Sequence, residues 1–246
     1  MATNPLDSEP PPLITVVTVG SLFAVLVLLI AAYVLSLRVL ARDTPTSLRV
    51  IYIWHAFDAL IHLLLEGPFL YNCFFEYAPG TSPDNFLSQP LRVYGPAYGT
   101  SPLSKLWQEY GKADARWLGA DLTIISLEIL TVFIGGPLAV YVCERMQKQD
   151  RMVWFWMVIL ATGELYGGFM TFNPEWLTGS LNLDTSNAMY LWLYLVFFNG
   201  LWVALPLYVL YEAYGQLHTA FSALDGSSKT KGRRGGAAAG KEKKAA

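Results

Sequence analysis

The segment IYIWHAFDALIHLLLEGPFLYNCFF, residues 51–75, decides the fold of this chain. As a helix it is long enough to cross the hydrocarbon core of a membrane, which is roughly 30 Å thick. Its apolar residues are interrupted by His55, Asp58, His62 and Glu66, at spacings of three, four and four residues. At about 3.6 residues per turn these side chains lie in one stripe along the helix. The segment therefore predicts a membrane-spanning helix with titratable groups on one face.

Four further apolar segments approach the length of about 20 residues that a transmembrane helix needs. They cover residues 13–37, 118–142, 153–172 and 188–211. Charged residues make up 15% of the chain and hydrophobic residues 54%, whereas soluble domains have roughly 25% charged residues. We therefore predict an all-α membrane protein with five transmembrane helices. Because helix one is almost purely aliphatic, we expect it to face lipid and helices two to five to form an intramembrane ligand cavity.

Basic residues in the connections predict the orientation of the chain. Thirteen Lys and Arg residues lie in the connection between helices one and two, in that between helices three and four, and in the C-terminal tail. The connection between helices two and three has four, which acidic residues balance. We predict a lumenal leader at residues 1–12, a five-helix membrane domain at residues 13–215 and a disordered, basic cytosolic tail at residues 216–246.

The tail ends in Lys243-Lys244-Ala-Ala. Two lysines at these positions of a cytosolic C-terminus resemble the dilysine signal that returns membrane proteins to the endoplasmic reticulum. We therefore expect a multi-pass protein of the endoplasmic reticulum membrane. The alternative is that both lysines belong to a basic patch near anionic lipids.

Other candidate residues lie inside the remaining helices. Helix three carries Glu128, and Thr131 follows one turn later, where it can hydrogen-bond to that carboxyl. Helix five carries Asn199 and Trp202, also one turn apart, so an amide and an indole are expected to face the same space. A carboxyl buried in hydrocarbon is costly, which makes Glu128 a candidate functional group.

The role of Glu164 on helix four stays open. Gly163 and Gly167 flank it, in the small-residue spacing that lets helices approach closely, so it is either a functional carboxyl or a packing partner. The polar stripe of helix two has an alternative as well, because it could simply hold helices together.

Several kinds of chemistry have no sequence signature in this chain. We find no phosphate-binding loop, dinucleotide fingerprint or haem attachment motif, and Cys73 and Cys143 lack the spacing of a zinc site. The net charge of -2 indicates no nucleic-acid partner. We therefore predict no cofactor and no metal, and cofactor-free proton transfer or ligand binding alone remain.

Five stretches resemble the emopamil-binding protein family, in the order in which that family has them. They are IHLLLEG (61–67), LWQEYGKADARW (106–117), EILT (128–131), ELYG (164–167) and FNGLW (198–202). The resemblance covers about residues 54–211, and the stretches PEWLT (174–178) and TSN (185–187) are closer to the emopamil-binding-protein-like branch.

The resemblance implies a sterol cavity and a 3-beta-hydroxysteroid isomerase of sterol biosynthesis that shifts a ring double bond from delta-8 to delta-7. It also implies binding of cationic amphiphilic drugs. The implied site comprises catalytic His62, Glu66 and Glu128, with Thr131, Asn199 and Trp202 for substrate and cation binding. To these we add Asp58, Glu164 and Tyr166 as further candidates.

We hypothesise that the His62–Glu66 pair and Glu128 divide the proton donor and acceptor roles. In this hypothesis Trp202 stabilises the carbocation through its π face, while Thr131 and Asn199 orient the carboxyls. Two other hypotheses compete with the isomerase. One is a non-catalytic sterol- or lipid-binding protein of the same fold, acting as a homodimeric regulator. The other is a proton-coupled transporter, which the lack of an evident inverted repeat disfavours.

Overall fold

The computed structural model describes residues 13–242, with side chains as far as residue 224. Five helical segments in this part of the chain are long and apolar enough to cross a membrane, which confirms the predicted all-α membrane fold. We call them spans 1 to 5, and they cover Val16–Val39, Thr46–Phe75, Leu122–Gln147, Val153–Thr178 and Met189–Leu224. The predicted leader, and Lys243 and Lys244 of the predicted retrieval signal, lie outside the described residues.

The helices and strands follow one another along the chain. In order they are α1 (Val16–Val39), α2 (Thr46–Ile61), α3 (Gly67–Phe75), β1 (Tyr77–Pro79), β2 (Arg92–Tyr94), α4 (Pro102–Tyr110), α5 (Leu122–Leu130), α6 (Gly136–Gln147), α7 (Val153–Thr178) and α8 (Asn199–Glu242). A π-helical segment, Met189–Phe198, leads into α8 and begins span 5. Side-chain caps fix several starts. Thr15 forms a capping box with Thr18 at α1, and the Asp121 carboxylate accepts from the Ile124 backbone N–H at α5.

Spans 2 and 3 each contain one π-helical turn, at His62–Glu66 and Thr131–Gly135. A Gly-Pro pair follows each turn, and the proline lacks the backbone N–H that a regular turn would use. The glycine N–H instead bonds to the carbonyl five residues earlier, from Gly67 to His62 and from Gly136 to Thr131. The wider turn accommodates the proline ring, so the helix continues.

Span 2 is the centre of the bundle and packs against spans 1, 3 and 5. In its most apolar stretch 61% of the residues are buried, against 11% in span 1. The exposed residues of span 1 are large and apolar, among them Val19, Phe23 and Ile30. Such a surface needs lipid to cover it, as expected for a lipid-facing helix.

The connection between spans 2 and 3 is folded and covers one end of the bundle. It contains the antiparallel pair β1–β2, with Tyr77 opposite Tyr94, and the helix α4. Glu109 of α4 is buried and accepts hydrogen bonds from the Thr18 hydroxyl of span 1 at 2.9 Å and from the Tyr194 hydroxyl of span 5 at 3.1 Å. These bonds fix α4 over the bundle.

The last helix differs from the predicted disordered tail over residues 216–242, because its backbone is helical to Glu242. Ala, Lys and Arg in this stretch favour the helical conformation, whereas its five glycines disfavour it, so composition alone does not explain the helix. A helix already formed in span 5 also extends without a new nucleation step.

Candidate active site

A cavity of about 470 Å³ lies inside the bundle and is lined by side chains of all five spans and of α4. The sequence predicts an intramembrane ligand cavity formed by helices two to five. The structure corrects that expectation, because Ser21, Leu22 and Val25 of span 1 also line the wall. Span 1 therefore faces lipid on one side and the cavity on the other.

The polar stripe of span 2 enters the cavity through His62 and Glu66. The His62 Nδ1 atom is hydrogen-bonded to the Glu66 carboxylate, and its Nε2 atom lies 3.0 Å from the Asp58 carboxylate. All three residues are buried. Because a carboxylate occupies each ring nitrogen, the imidazole is held at both ends and has no free nitrogen to offer a ligand.

Span 3 brings a second carboxyl to the same cavity. The Glu128 side chain lies beside that of Glu66, and its Oε2 atom is 3.1 Å from the Thr131 hydroxyl, which can donate to it. The π-helical turns of spans 2 and 3 pack against each other. They approach closely because a glycine faces His62, and a Cβ at Gly136 would lie only 3.2 Å from the His62 Cβ.

Trp202 of span 5 contacts span 2 through the edge of its indole. The Nε1–H group donates to Asp58 Oδ1 at 2.9 Å, so this oxygen serves both Trp202 and His62. The indole also packs against Trp54, with ring centroids 5.2 Å apart. Trp202 borders the cavity, and its donor group positions Asp58.

The described contacts of Asn199 differ from the carboxyl contact that the sequence suggests. Its amide nitrogen donates to the Tyr110 hydroxyl at 3.0 Å and to the backbone carbonyls of Tyr194 and Leu195. The described contacts of Asn199 therefore orient a phenol and close a helix turn, whereas Thr131 contacts a carboxyl as expected. The difference arises because α4 brings the Tyr110 hydroxyl within hydrogen-bond distance of Asn199.

Three aromatic residues of the folded connection line the cavity, and sequence reasoning did not identify them individually. The rings of Trp107 and Trp117 stack with centroids 4.7 Å apart, and Tyr110 meets Trp117 edge to face. Trp107 Nε1 donates to the Leu65 carbonyl at 2.9 Å. Burial raises the pKa of the Tyr110 phenol above its ordinary value. The only signal in the sequence was the aromatic and charged composition of this segment.

Glu164 and Tyr166 of span 4 have different surroundings. The Glu164 carboxyl is buried next to His55 and Asp58 and has no hydrogen-bond partner among the described residues. A Cβ at Gly163 or Gly167 would meet nothing within 4 Å, so these glycines do not mark a close helix contact. Tyr166 borders the cavity, but it is 67% exposed on the outside of the bundle.

The arrangement is suited to proton transfer in an apolar space. Glu66 and Glu128 face one cavity from different spans, and each has a hydrogen-bonded neighbour that fixes its orientation. Two positioned groups that can exchange protons are sufficient for general acid and base catalysis. The aromatic wall formed by Trp107, Tyr110 and Trp202 could also hold a cation.

Comparisons with known proteins agree on one group of relatives. The family model of EBP, described as EXPERA (EXPanded EBP superfamily), matches residues 102–213. The probable 3-beta-hydroxysteroid-Delta(8),Delta(7)-isomerase of Oryza sativa subsp. japonica is 30% identical over 80% of this chain and 80% of its own length. The 3-beta-hydroxysteroid-Delta(8),Delta(7)-isomerase of Cavia porcellus is 29% identical over 84% of this chain and 82% of its own length. An isomeliandiol synthase of Melia azedarach is 24% identical over 75% and 77%.

Proposed function

The chain belongs to the EBP family, and on this premise we propose that it is a cofactor-free sterol isomerase that shifts a ring double bond from delta-8 to delta-7. The observation that carries the proposal is the pair of carboxyls, Glu66 and Glu128, that face one apolar cavity from two spans. A cavity of about 470 Å³ is within the range of small-molecule sites.

The reaction needs only proton transfers. One carbon of the delta-8 double bond takes up a proton and leaves a carbocation on its neighbour, and loss of a proton from the adjacent ring carbon forms the delta-7 double bond. One C–H bond forms and one breaks, so no oxidant or reductant is required. Glu66 and Glu128 divide the donor and acceptor roles. Because the two carboxyls are neighbours, the proton taken up by the acceptor can pass back to the donor after each turnover.

His62 acts through Glu66 in this proposal. Both of its ring nitrogens are occupied by carboxylates, so the imidazole positions Glu66 and shares its proton without touching the sterol. Thr131 orients Glu128 in the same way. In this proposal Glu66 and Glu128 are the catalytic residues, and His62 and Thr131 are positioning residues.

The aromatic wall stabilises the carbocation. Trp107, Tyr110 and Trp202 line the cavity, and an aromatic face attracts a positive charge by about 0.5–2 kcal/mol when water is excluded. A protonated amine on an apolar body has the charge and shape of that intermediate, so it should bind tightly. Binding of cationic amphiphilic drugs follows from the same proposal.

The test is turnover of a delta-8 sterol by the purified chain in deuterated water. We expect delta-7 product carrying deuterium, because the carboxyl proton exchanges with solvent. Glu128→Gln should lower turnover about 10²–10⁴-fold, as loss of an acid–base group does, while binding of a cationic amphiphilic amine is retained. Glu144→Gln, at the exposed end of the same span, is the matched control and should be unaffected.

Two outcomes would contradict the proposal in different ways. Normal turnover by Glu128→Gln would remove the role assigned to that carboxyl. A wild-type chain that binds sterol without converting it would select the alternative, a non-catalytic sterol-binding protein. The observation that favours this alternative is His62, whose nitrogens are both occupied and cannot reach a ligand.

We also propose residence in the endoplasmic reticulum, with a lumenal N-terminus and a cytosolic tail. The distribution of Lys and Arg between the connections supports this orientation. Replacing Lys243 and Lys244 by serine should move the protein along the secretory pathway, as fluorescence microscopy of a tagged chain would show. Unchanged localisation would contradict the retrieval signal and would favour the alternative that both lysines belong to a basic patch.

A further inference from the structure

A second group of titratable side chains adjoins the catalytic pair, and the proposed reaction assigns none of them a proton-transfer role. Asp58 of this group contacts His62, and Glu164 borders the same cavity. His55 and Asp58 are one turn apart on span 2, and Glu164 reaches them from span 4. One potential ligand atom from each of the three residues lies within 4.8 Å of the other two. His55 and Asp58 are both 0% exposed.

The polar atoms of this group lack partners among the described residues. They are both nitrogens of His55, the Oδ2 atom of Asp58 and both carboxylate oxygens of Glu164. A buried polar atom without a hydrogen bond costs about 1–3 kcal/mol, so such atoms are rare and call for an explanation. A proton shared between Asp58 and Glu164 would satisfy only the two carboxyls and would leave His55 without any partner.

We propose that His55, Asp58 and Glu164 bind a divalent metal ion of the zinc type. Two carboxylates and one imidazole carry a charge of about −2 when ionised, and a divalent cation neutralises it inside the membrane, where isolated charge is costly. The imidazole favours zinc and similar transition metals over magnesium or calcium, which prefer oxygen ligands alone.

The geometry needs only a small side-chain adjustment. Zinc bonds of about 2.0–2.2 Å place neighbouring ligand atoms roughly 3.5 Å apart, whereas these atoms lie within 4.8 Å of one another. Bundles of helices bind metals in this way, with ligands one turn apart on one helix and a carboxylate from a facing helix. A water or a second carboxylate oxygen completes the coordination.

The metal would also fix the polar stripe of span 2. Asp58 offers Oδ2 to the metal while its Oδ1 atom contacts His62 and Trp202. The carboxylate thus joins the metal to the imidazole that holds Glu66. This inference depends on the geometry of the three side chains and not on the proposed isomerisation.

The experiment measures metal directly. The full chain is purified in detergent without a histidine tag, stripped with a chelator and dialysed against micromolar zinc, and the bound metal is counted by mass spectrometry. We expect one zinc per chain. His55→Asn and Glu164→Gln should each weaken zinc binding at least tenfold, and His218→Asn, which changes an exposed histidine of α8, should bind as wild type.

Cobalt provides the second measurement, because its visible absorption reports a protein-bound coordination sphere. The cobalt spectrum of the wild type should be lost in His55→Asn, and thermal unfolding without metal shows whether that variant is folded. Zinc that binds equally to all variants would be adventitious and would overturn the proposal. A wild-type chain that binds no zinc would overturn it too, whatever its activity towards sterols.

Discussion

The two ends of the polar stripe on span 2 carry similar residue types in different surroundings. At one end His62 and Glu66 are hydrogen-bonded to each other and face a cavity. At the other end His55 and the Oδ2 atom of Asp58 are buried without a partner among the described residues. The first end has a fixed geometry suited to chemistry, and the second contains buried polar atoms that no described side chain satisfies. The helix spacing is the same at both ends, so the partners decide the role.

The largest expected effect is the difference between two Glu→Gln substitutions, one at each end of the stripe. Glu66→Gln removes the carboxylate that His62 contacts, and we expect turnover of a delta-8 sterol to fall about 10²–10⁴-fold. In chelator-treated protein Glu164→Gln removes no hydrogen bond, so turnover should stay within about twofold. Product analysis by mass spectrometry measures both. Equal losses in the two variants would mean that the ends do not differ.

Trp202→Phe tests the junction between the ends. It removes the N–H that donates to the buried Asp58 carboxylate, and we expect the free energy of unfolding to fall by about 1–3 kcal/mol. Trp192→Phe is the control in the same span, because Trp192 is 63% exposed. Thermal unfolding in detergent gives both values. If the control is destabilised as much as Trp202→Phe, the hydrogen bond contributes nothing.

A smaller effect is expected from the packing beside each end. Gly136→Ala introduces a Cβ 3.2 Å from His62 and Leu63, and the crowding should cost about 1 kcal/mol of stability. Gly163→Ala, next to Glu164, meets nothing within 4 Å and should be neutral or stabilise its helix by up to about 1 kcal/mol. The unfolding midpoint of Gly136→Ala should therefore lie below that of Gly163→Ala. Equal midpoints for the two variants would contradict the packing difference.

The last effect appears only at high pH and concerns Tyr110, which lies outside the stripe and lines the cavity. Burial raises its pKa in the folded state, whereas the unfolded chain releases this proton near pH 10. Above about pH 10 the folded state therefore binds more protons than the unfolded state, and stability falls by up to about 1.4 kcal/mol per pH unit. Tyr110→Phe should flatten this fall. Parallel unfolding curves for both proteins from about pH 9 to about pH 11 would contradict it.

The sequence predicted the spans, and it predicted which polar residues of spans 2 and 3 lie one turn apart, because both depend on local periodicity. The spacing of His62 and Glu66, and that of Glu128 and Thr131, places each pair one turn apart, and each pair is in contact. The wall formed by Trp107 and Tyr110 was not predicted, because it depends on how the connection folds back over the bundle. Asn199 was assigned to a carboxyl for the same reason, since its actual partner lies on that connection.

The sequence also did not predict that His55 and Glu164 lack hydrogen-bond partners among the described residues. Periodicity predicts that His55 shares a face with Asp58, but it does not predict which residues of other spans reach that face. The glycines beside Glu164 suggested close packing of two helices, and the space around them is open instead. Contacts between segments far apart in the chain decide the surroundings of His55 and of the two glycines. Such contacts cannot be predicted from the periodicity of a single sequence.

The π-helical turn at His62–Glu66 sets the phase between the two halves of span 2. It holds one more residue than a regular turn, so every side chain before it is rotated by about 100° relative to an uninterrupted helix. Deleting one residue there would restore a regular helix and swing His55 and Asp58 away from span 4. The single inserted residue thus sets how the part of span 2 after the turn is oriented relative to His55 and Asp58.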